Sequence, residues 1–170
     1  MLLSAKTVII NCSNEVKSNQ FFILVTPDVI VMQNCIKETL EEIVCSELHP
    51  RSCISVIVQE LDVDGRTLAS AINSACCALL DASVSMRCLV AAVTVGITKT
   101  GTIINPSNEE LQENCVADLT FAFDSSSYKK ILVRTNGKFK PKDFIVCCRL
   151  AKNEAKNIFS FYKASLANSC

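Results

Sequence analysis

The chain has 170 residues, 49% of them hydrophobic and 20% charged, with Lys plus Arg (17) balancing Asp plus Glu (17). This length and apolar content suffice for one sizeable core and exclude a disordered chain. A net charge of zero argues against a stand-alone nucleic-acid binder, which draws its affinity from phosphate neutralisation, and favours a protein working within an assembly.

Thr7 to Ile10 and Phe21 to Val25 read as short β-branched and aromatic strands separated by the polar stretch NCSNEVKSNQ, and are expected to pair as a hairpin that Pro27-Asp28 ends. From Asn34 to Leu48 the positions Ile36, Leu40, Ile43, Val44 and Leu48 mark one face of an amphipathic helix, with Asn34 as its cap. The apolar strand Ile54 to Val58 leads to an Asp64-Gly65 turn. A helix of small residues follows, in which Leu68, Ile72, Ala75, Cys76 and Leu79 recur at helical spacing, so that it can lie close against a sheet. Cys88 to Ile97 is nearly continuous in apolar residues, as a strand buried on both faces would be. Lys99 to Thr102 turns it into Ile103-Ile104. Leu119 to Phe123 and Ile131 to Arg134 make a hairpin around Asp124 to Tyr128, and Pro141 opens a long helix with Phe144, Cys148, Ala151, Ala155, Ile158 and Tyr162 on one face.

No linker, low-complexity tract or short-period repeat interrupts the chain, and a single domain over 1–170 is expected. No apolar run approaches the ~18 residues of a membrane span, and Met1 to Ile10 lacks a signal-peptide pattern, so an intracellular chain without membrane contact is expected. The 11 cysteines form no C-x-x-C, and the single histidine, His49, has no second ligand at metal spacing. Thiols such as Cys53, Cys76, Cys88 and Cys147 sit in apolar segments and read as buried, reduced, small hydrophobes. Cys12 and Cys170, in polar or terminal context, are the expected exposed thiols. With four glycines and neither a G-x-G-x-x-G nor a P-loop, the chain offers no phosphate cradle and no cofactor is expected. A layered α/β fold suits the element order better than a doubly wound one.

The ordered set LHPRSCISVIVQ (Leu48 to Gln59), the Asp64-Gly65 turn with the helix NSACCALLDA (Asn73 to Ala82), GITKTGTIINPSNEE (Gly96 to Glu110), ADLTFAFDS (Ala117 to Ser125) and IFSFYKASL (Ile158 to Leu166) resembles the RNase PH superfamily. The resemblance runs from about Cys35 onward. It implies a β-α-β-α layered α+β fold of the ribosomal protein S5 domain 2-like kind. It also implies an R-x-D-G-R-like segment and strands ahead of Thr7 that have no counterpart here.

Active members of the family use inorganic phosphate to attack the terminal phosphodiester of RNA, which requires a guanidinium on the phosphate and a carboxylate for the proton. Aligned without a gap from Asp64-Gly65, the phosphate-arginine position holds Leu68, and a slip of one or two residues would make Arg66 the ligand instead. In the acidic loop, the first aspartate position is Asn105 and the acid position is Leu111, neither of which can exchange a proton at neutral pH. Glu109 and Glu110 are the remaining substitutes, but they also read as the acidic first turn of a short helix. The helix where active members carry arginines has Glu38, Glu41 and Glu42 beside Lys37. The resemblance therefore implies a non-catalytic subunit of the exosome ring. Its partners would be other RNase PH-like ring subunits, cap subunits and single-stranded RNA. Its setting would be 3′-to-5′ RNA processing and decay, including rRNA maturation, in nucleus, nucleolus and cytoplasm. Arg51, Arg66, Arg87 and Lys99 are the cations that could line an RNA path, although scattered cations usually mean solvated surface. His49 reads as a loop residue rather than a base. The competing reading is an active nuclease, phosphorolytic through Arg66 or metal-assisted through Glu109, Glu110 and Asp118; a homodimer outside the ring would use the same surfaces.

Overall fold

The computed structural model describes residues 8–9, 22–24, 30–50, 52–58 and 67–167. Strands β1 (Val8–Ile9) and β2 (Phe22–Leu24) precede helix α1 (Ile30–Ile43). A 3-10 turn at Ser46–Leu48 leads to β3 (Ser55–Ile57) and helix α2 (Thr67–Asp81). The second half runs β4 (Val90–Thr98), β5 (Thr102–Ile104), α3 (Asn108–Glu113), β6 (Cys115–Asp124), β7 (Lys130–Gly137) and α4 (Pro141–Ala167). The strands form a three-stranded sheet ordered β1-β3-β2 and an antiparallel four-stranded sheet ordered β5-β4-β6-β7. Helices α1 and α2 touch each other and both sheets, and α4 packs on β4 and β6. This is the β-α-β-α layering expected from the element order.

Two expectations for the first half are corrected. The first two strands do not pair as a hairpin: β3 lies between them, antiparallel to β1 and parallel to β2. The polar stretch between them is far longer than the two to five residues that close a hairpin, so a third strand can enter. Helix α1 begins one turn before Asn34, which is an interior, exposed residue rather than a cap. Its buried face is the expected one through Ile36, Leu40 and Ile43, and Val44 is also buried. Leu48 is 65% exposed, because the chain leaves helical geometry after Ile43. There Val44 bridges Met86, and the amide N–H groups of Cys45 and Arg87 bond to the carbonyls of Ser85 and Ile43.

The helix of small residues packs as expected, with Leu68, Ile72, Ala75, Cys76 and Leu79 all buried. It does more than lie near β4. Along its first residues β4 has no strand neighbour on the α2 side, since β5 pairs only with Val95 to Ile97. The open edge is met by side chains. Asn73 accepts from the Ala92 N–H at 2.7 Å and donates to the Ala92 carbonyl at 2.8 Å, reproducing the two bonds of a neighbouring strand. The Val90 N–H reaches the Cys76 Sγ at 3.5 Å. Unpaired backbone groups at such depth would cost stability comparable to lost hydrogen bonds, so α2 completes the sheet as well as covering it.

The two central strands of the four-stranded sheet, β4 and β6, are buried on both faces along most of their length, whereas β7 at the edge is largely exposed. Phe121 meets Phe144 of α4 at 5.5 Å between ring centroids, which places alternate β6 residues toward α4 and leaves Thr120 and Ala122 on the other side. Their cross-strand partners are Thr94 and Ala92, and the Thr94 and Thr120 hydroxyls bond to each other at 3.0 Å. Helix α4 starts at Pro141 and buries Cys147, Ala151, Ala155, Ile158, Phe159 and Tyr162. Tyr162 donates to the Asn73 carbonyl at 3.4 Å, joining the end of α4 to the middle of α2. The β6–β7 turn is organised by Asp124, which accepts from the amide N–H groups of Ser127 and Tyr128 and from the Ser127 hydroxyl. Burial alone would raise the Asp124 pKa; the hydrogen bonds outweigh it, and the carboxyl sits below the usual range.

Among the described residues no two cysteines are bonded. Cys76 and Cys147 are buried, whereas Cys53 and Cys88 are only half-buried, so the buried-thiol expectation holds for part of the set. Burial pushes the Cys76 thiol up to about 12 and raises those of Cys77, Cys88 and Cys147. Cys12 and Cys170 lie outside the described residues.

Candidate functional site

The hydrogen bonds from α2 to β4 run antiparallel: Cys76 meets Val90 and Asn73 meets Ala92. The amino-terminal turn of α2, with Leu68, is therefore directed toward the Thr94 end of the exposed edge. There the loop after β5 takes over. Asn105 adopts a left-handed backbone (φ 52°), a conformation asparagine tolerates better than most residues. Its N–H donates to the Thr94 carbonyl at 2.8 Å, and its side-chain oxygen faces the Thr94 N–H at 3.4 Å. Asn105 thus does for Thr94 what Asn73 does for Ala92.

Two residues on, Ser107 caps α3. Its hydroxyl accepts from the Glu110 N–H, and the Glu110 carboxylate accepts from the Ser107 N–H at 2.8 Å. This reciprocal capping box engages Glu110 in holding the loop. Glu109 is exposed and Leu111 half-buried in the same helix. Beneath the loop, Cys115 and Pro106 both close on Gly96, where an added Cβ would lie 2.6 Å from the Cys115 Sγ and 3.2 Å from the Pro106 Cγ. Burial, then the charges of Asp118 and Glu110, raise the Cys115 pKa, the opposite of an activated thiol. Asp118 accepts from the Asn136 amide at 2.9 Å.

At this end of the sheet lies Leu68, the residue that the gapless reading from Asp64-Gly65 assigns to the phosphate-arginine position, 5% exposed in the core. Of the two residues that the resemblance assigns to acid positions, Asn105 bonds the Thr94 backbone and Leu111 is half-buried. The charges that remain nearby, on Glu109, Glu110 and Asp118, repel phosphate. Among the described residues no group of three His, Cys, Asp or Glu is placed to hold a metal ion, so Glu109, Glu110 and Asp118 do not converge as the metal-assisted reading requires.

Of the expected RNA-path cations, the two that are described, Arg87 and Lys99, lie at opposite ends of β4. Arg87 precedes β4 and pairs with Glu47 at 3.3 Å, whereas Lys99 is exposed in the turn after it, about 26 Å of strand away. Arg51, Arg66 and the Asp64-Gly65 turn lie outside the described residues. His49 Nε2 accepts from the Ser85 N–H at 3.2 Å, a structural contact rather than a poised base.

One feature escaped the reading of net charge. Ten of the 17 basic residues but only two of the 17 acidic residues lie from Lys129 onward, so that part carries +8 and the remainder −8. Charge asymmetry between segments was the available signal. In the fold it places Lys142, Arg149, Lys152, Lys156 and Lys163 along α4.

Comparison with known proteins accounts for this architecture. Residues 12–85 match the model of the 3′ exoribonuclease family, domain 1, and residues 88–154 match that of domain 2. The chain is 31% identical over 137 residues to the exosome complex component Rrp41 of Nitrosopumilus maritimus, covering 81% of this chain and 56% of that protein. It is likewise 31% identical over 130 residues to Rrp41 of Methanopyrus kandleri, covering 76% of this chain and 54% of the relative. The chain thus spans a little over half the length of these relatives. Among solved structures it resembles rice (Oryza sativa) Rrp46, with a TM-score of 0.82, 22% identity, and coverage of 96% of this chain and 80% of that one. It also resembles a chain of an archaeal exosome core, with a TM-score of 0.71, 20% identity, and coverage of 85% and 68%. With its fold, its paired family matches and the order of its motifs in agreement, the chain belongs to the 3′ exoribonuclease (RNase PH) family.

Proposed function

We propose that the chain is a non-catalytic RNase PH-like subunit of an exosome ring, of the kind represented by eukaryotic exosome component five. It would support 3′-to-5′ RNA processing and decay, including rRNA maturation, by assembly and by contact with the RNA path. The nucleus and nucleolus, with the cytoplasm, are its proposed setting. Its partners would be other RNase PH-like ring subunits, cap subunits and the single-stranded RNA they thread. Support comes from relatives that are exosome components and from a similar archaeal chain within an exosome whose active site holds RNA.

One observation carries the non-catalytic part. The residues that the resemblance aligns with the family's arginine and carboxylates have other uses here: Leu68 is in the core and Asn105 is bonded to the Thr94 backbone, while Leu111 has no proton to give. A buried leucine cannot be exchanged for a phosphate ligand by a rotamer change, and an amide completing a strand edge is not available to shuttle protons. Catalysis in the assembly would then come from another component.

Mixing the purified chain with RNase PH-like ring subunits and measuring mass by light scattering after size exclusion tests the assembly. The expected result is co-migration in a particle whose mass includes this chain. Elution as a separate monomer or homodimer beside the assembled partners would contradict the reading.

A further inference from the structure

We propose that the outer face of α4, with the β6–β7 turn beside it, is a docking surface for the phosphodiester backbone of RNA, distinct from the α2–Asn105 end of the sheet. The proposal rests on the RNA-handling reading above but not on ring assembly. Lys142, Arg149, Lys156 and Lys163 recur every seven residues, a spacing of about 10.5 Å along the helix axis. With Lys152 they fall within about 80° of arc, and the two α4 acids, Asp143 and Glu154, lie some 140–160° around the helix from the centre of that arc. The first four are exposed and Lys152 is half-buried.

Their positions are held from beneath. The ammonium groups of Lys152 and Lys156 sit 5.7 and 5.8 Å from the ring centroid of Tyr128, which in turn packs edge-on to Phe159. Lys130 lies 5.7 Å over Phe144 nearby. Two like charges drawn to one ring repel each other, and among the described residues the ion pairs are Lys37–Glu41 and Arg87–Glu47, neither involving this face. The acids of the neighbourhood lie beside the turn rather than on the α4 stripe: Glu38, Glu42 and Asp124 line a depression with Lys129 and Lys130, and Asp124 is buried and bonded to Ser127 and Tyr128, so the stripe itself stays positive and attracts a polyanion.

The chemistry favours a nucleic-acid backbone over an acidic protein. Protein interfaces deplete lysine and require an apolar centre, and between Arg149 and Lys156 this stripe has none; the exposed Ile145 and Val146 stand near its Lys142 end, and the exposed Phe161 lies about 140° around the helix from its centre. Four of the five cations are lysines, which act as point charges on phosphate without demanding a particular ligand geometry. Sequence-independent contact along the strand is the expected mode.

The test is binding of a labelled single-stranded RNA to the isolated chain, titrated across salt concentrations. The first variant combines Lys142→Gln, Arg149→Gln, Lys152→Gln and Lys156→Gln. The second omits Lys152→Gln, so that only exposed residues change and folding is preserved, as a thermal melt will check. The first variant is expected to lose at least tenfold in affinity near 0.1 M salt, with the slope of log K against log salt falling by roughly 2–3 units. The second should lose proportionately less. An unchanged slope in both variants would overturn the proposal. So would equal competition by polyglutamate of matched charge, which would mark the face as a site for acidic protein. Because the isolated chain is used, neither result bears on ring assembly, and failure to assemble leaves this surface intact.

Discussion

Replacing Asn73 with alanine is expected to lower the unfolding free energy by about 2–5 kcal/mol, since it strands a buried donor and a buried acceptor that each cost about 1–3 kcal/mol when unmet. At this chain length that corresponds to a fall in Tm of roughly 5–15 °C. Asn73 is 3% exposed and bonds both the N–H and the carbonyl of Ala92 on an edge that β5 does not reach. Water cannot take over these bonds without opening the packing between α2 and β4. Asn73→Asp separates the two halves of the interaction. The carboxylate still accepts from the Ala92 N–H but turns a second oxygen toward the Ala92 carbonyl, so the charged form is disfavoured and its pKa in the fold should rise. A group with a raised carboxyl pKa gains relative stability as it protonates. The deficit of Asn73→Asp against the natural chain should therefore narrow as pH falls through the range where that carboxyl takes up its proton, while the deficit of Asn73→Ala should not. Thermal unfolding of both variants across that pH range checks this, and an Asn73→Ala Tm within two degrees of the natural chain would show that α2 does not complete the sheet.

Gly137→Ala is the second large effect expected, at least about 2–3 kcal/mol. Gly137 closes β7 opposite Ala117 with φ 89°, and a Cβ there would stand 2.5 Å from the Val116 carbonyl oxygen and 2.7 Å from the Ala117 Cα. Both neighbours are backbone atoms of the adjoining strand, so no rotamer change relieves the clash, and the positive φ is itself unfavourable for a residue with a side chain. Gly101, in the β4–β5 turn, is the internal control. A Cβ there meets nothing within 4 Å, and Gly101→Ala should stay within about 0.5 kcal/mol of the natural chain. Equal stabilities for the two alanine variants in denaturant titration would refute the assignment of strain to Gly137.

What the sequence made legible follows from periodicity. Leu68, Ile72, Ala75, Cys76 and Leu79 share a face because the helical repeat leaves a clear trace, and the apolar run ending at Ile97 could only be a covered strand. The placement of β3 between β1 and β2 was not legible, since pairing partners far apart in sequence leave no local signal. Nor was the start of α1: Ile30 and Val31 are exposed helical residues that fit no buried face. Asn73 sits in a run of small residues, where nothing marks an amide as the partner of a strand 19 positions away. At the candidate site, the identities of Leu68, Asn105 and Leu111 were open to comparison, but their structural uses were not. The left-handed backbone of Asn105 and the capping box of Glu110 appear only with the loop folded. The basic face of α4 was readable and was hidden by summing charge over the whole chain.

On the proposed non-catalytic reading, this chain keeps the family fold and uses the positions aligned with catalytic residues for packing. The most direct test is incubation of the chain, alone and with ring partners that are themselves inactive, with single-stranded RNA, with and without inorganic phosphate. The account predicts no phosphate-dependent release of nucleoside diphosphates above background in either case. Phosphate-dependent release that disappears in Arg66→Ala would contradict it and restore the phosphorolytic reading.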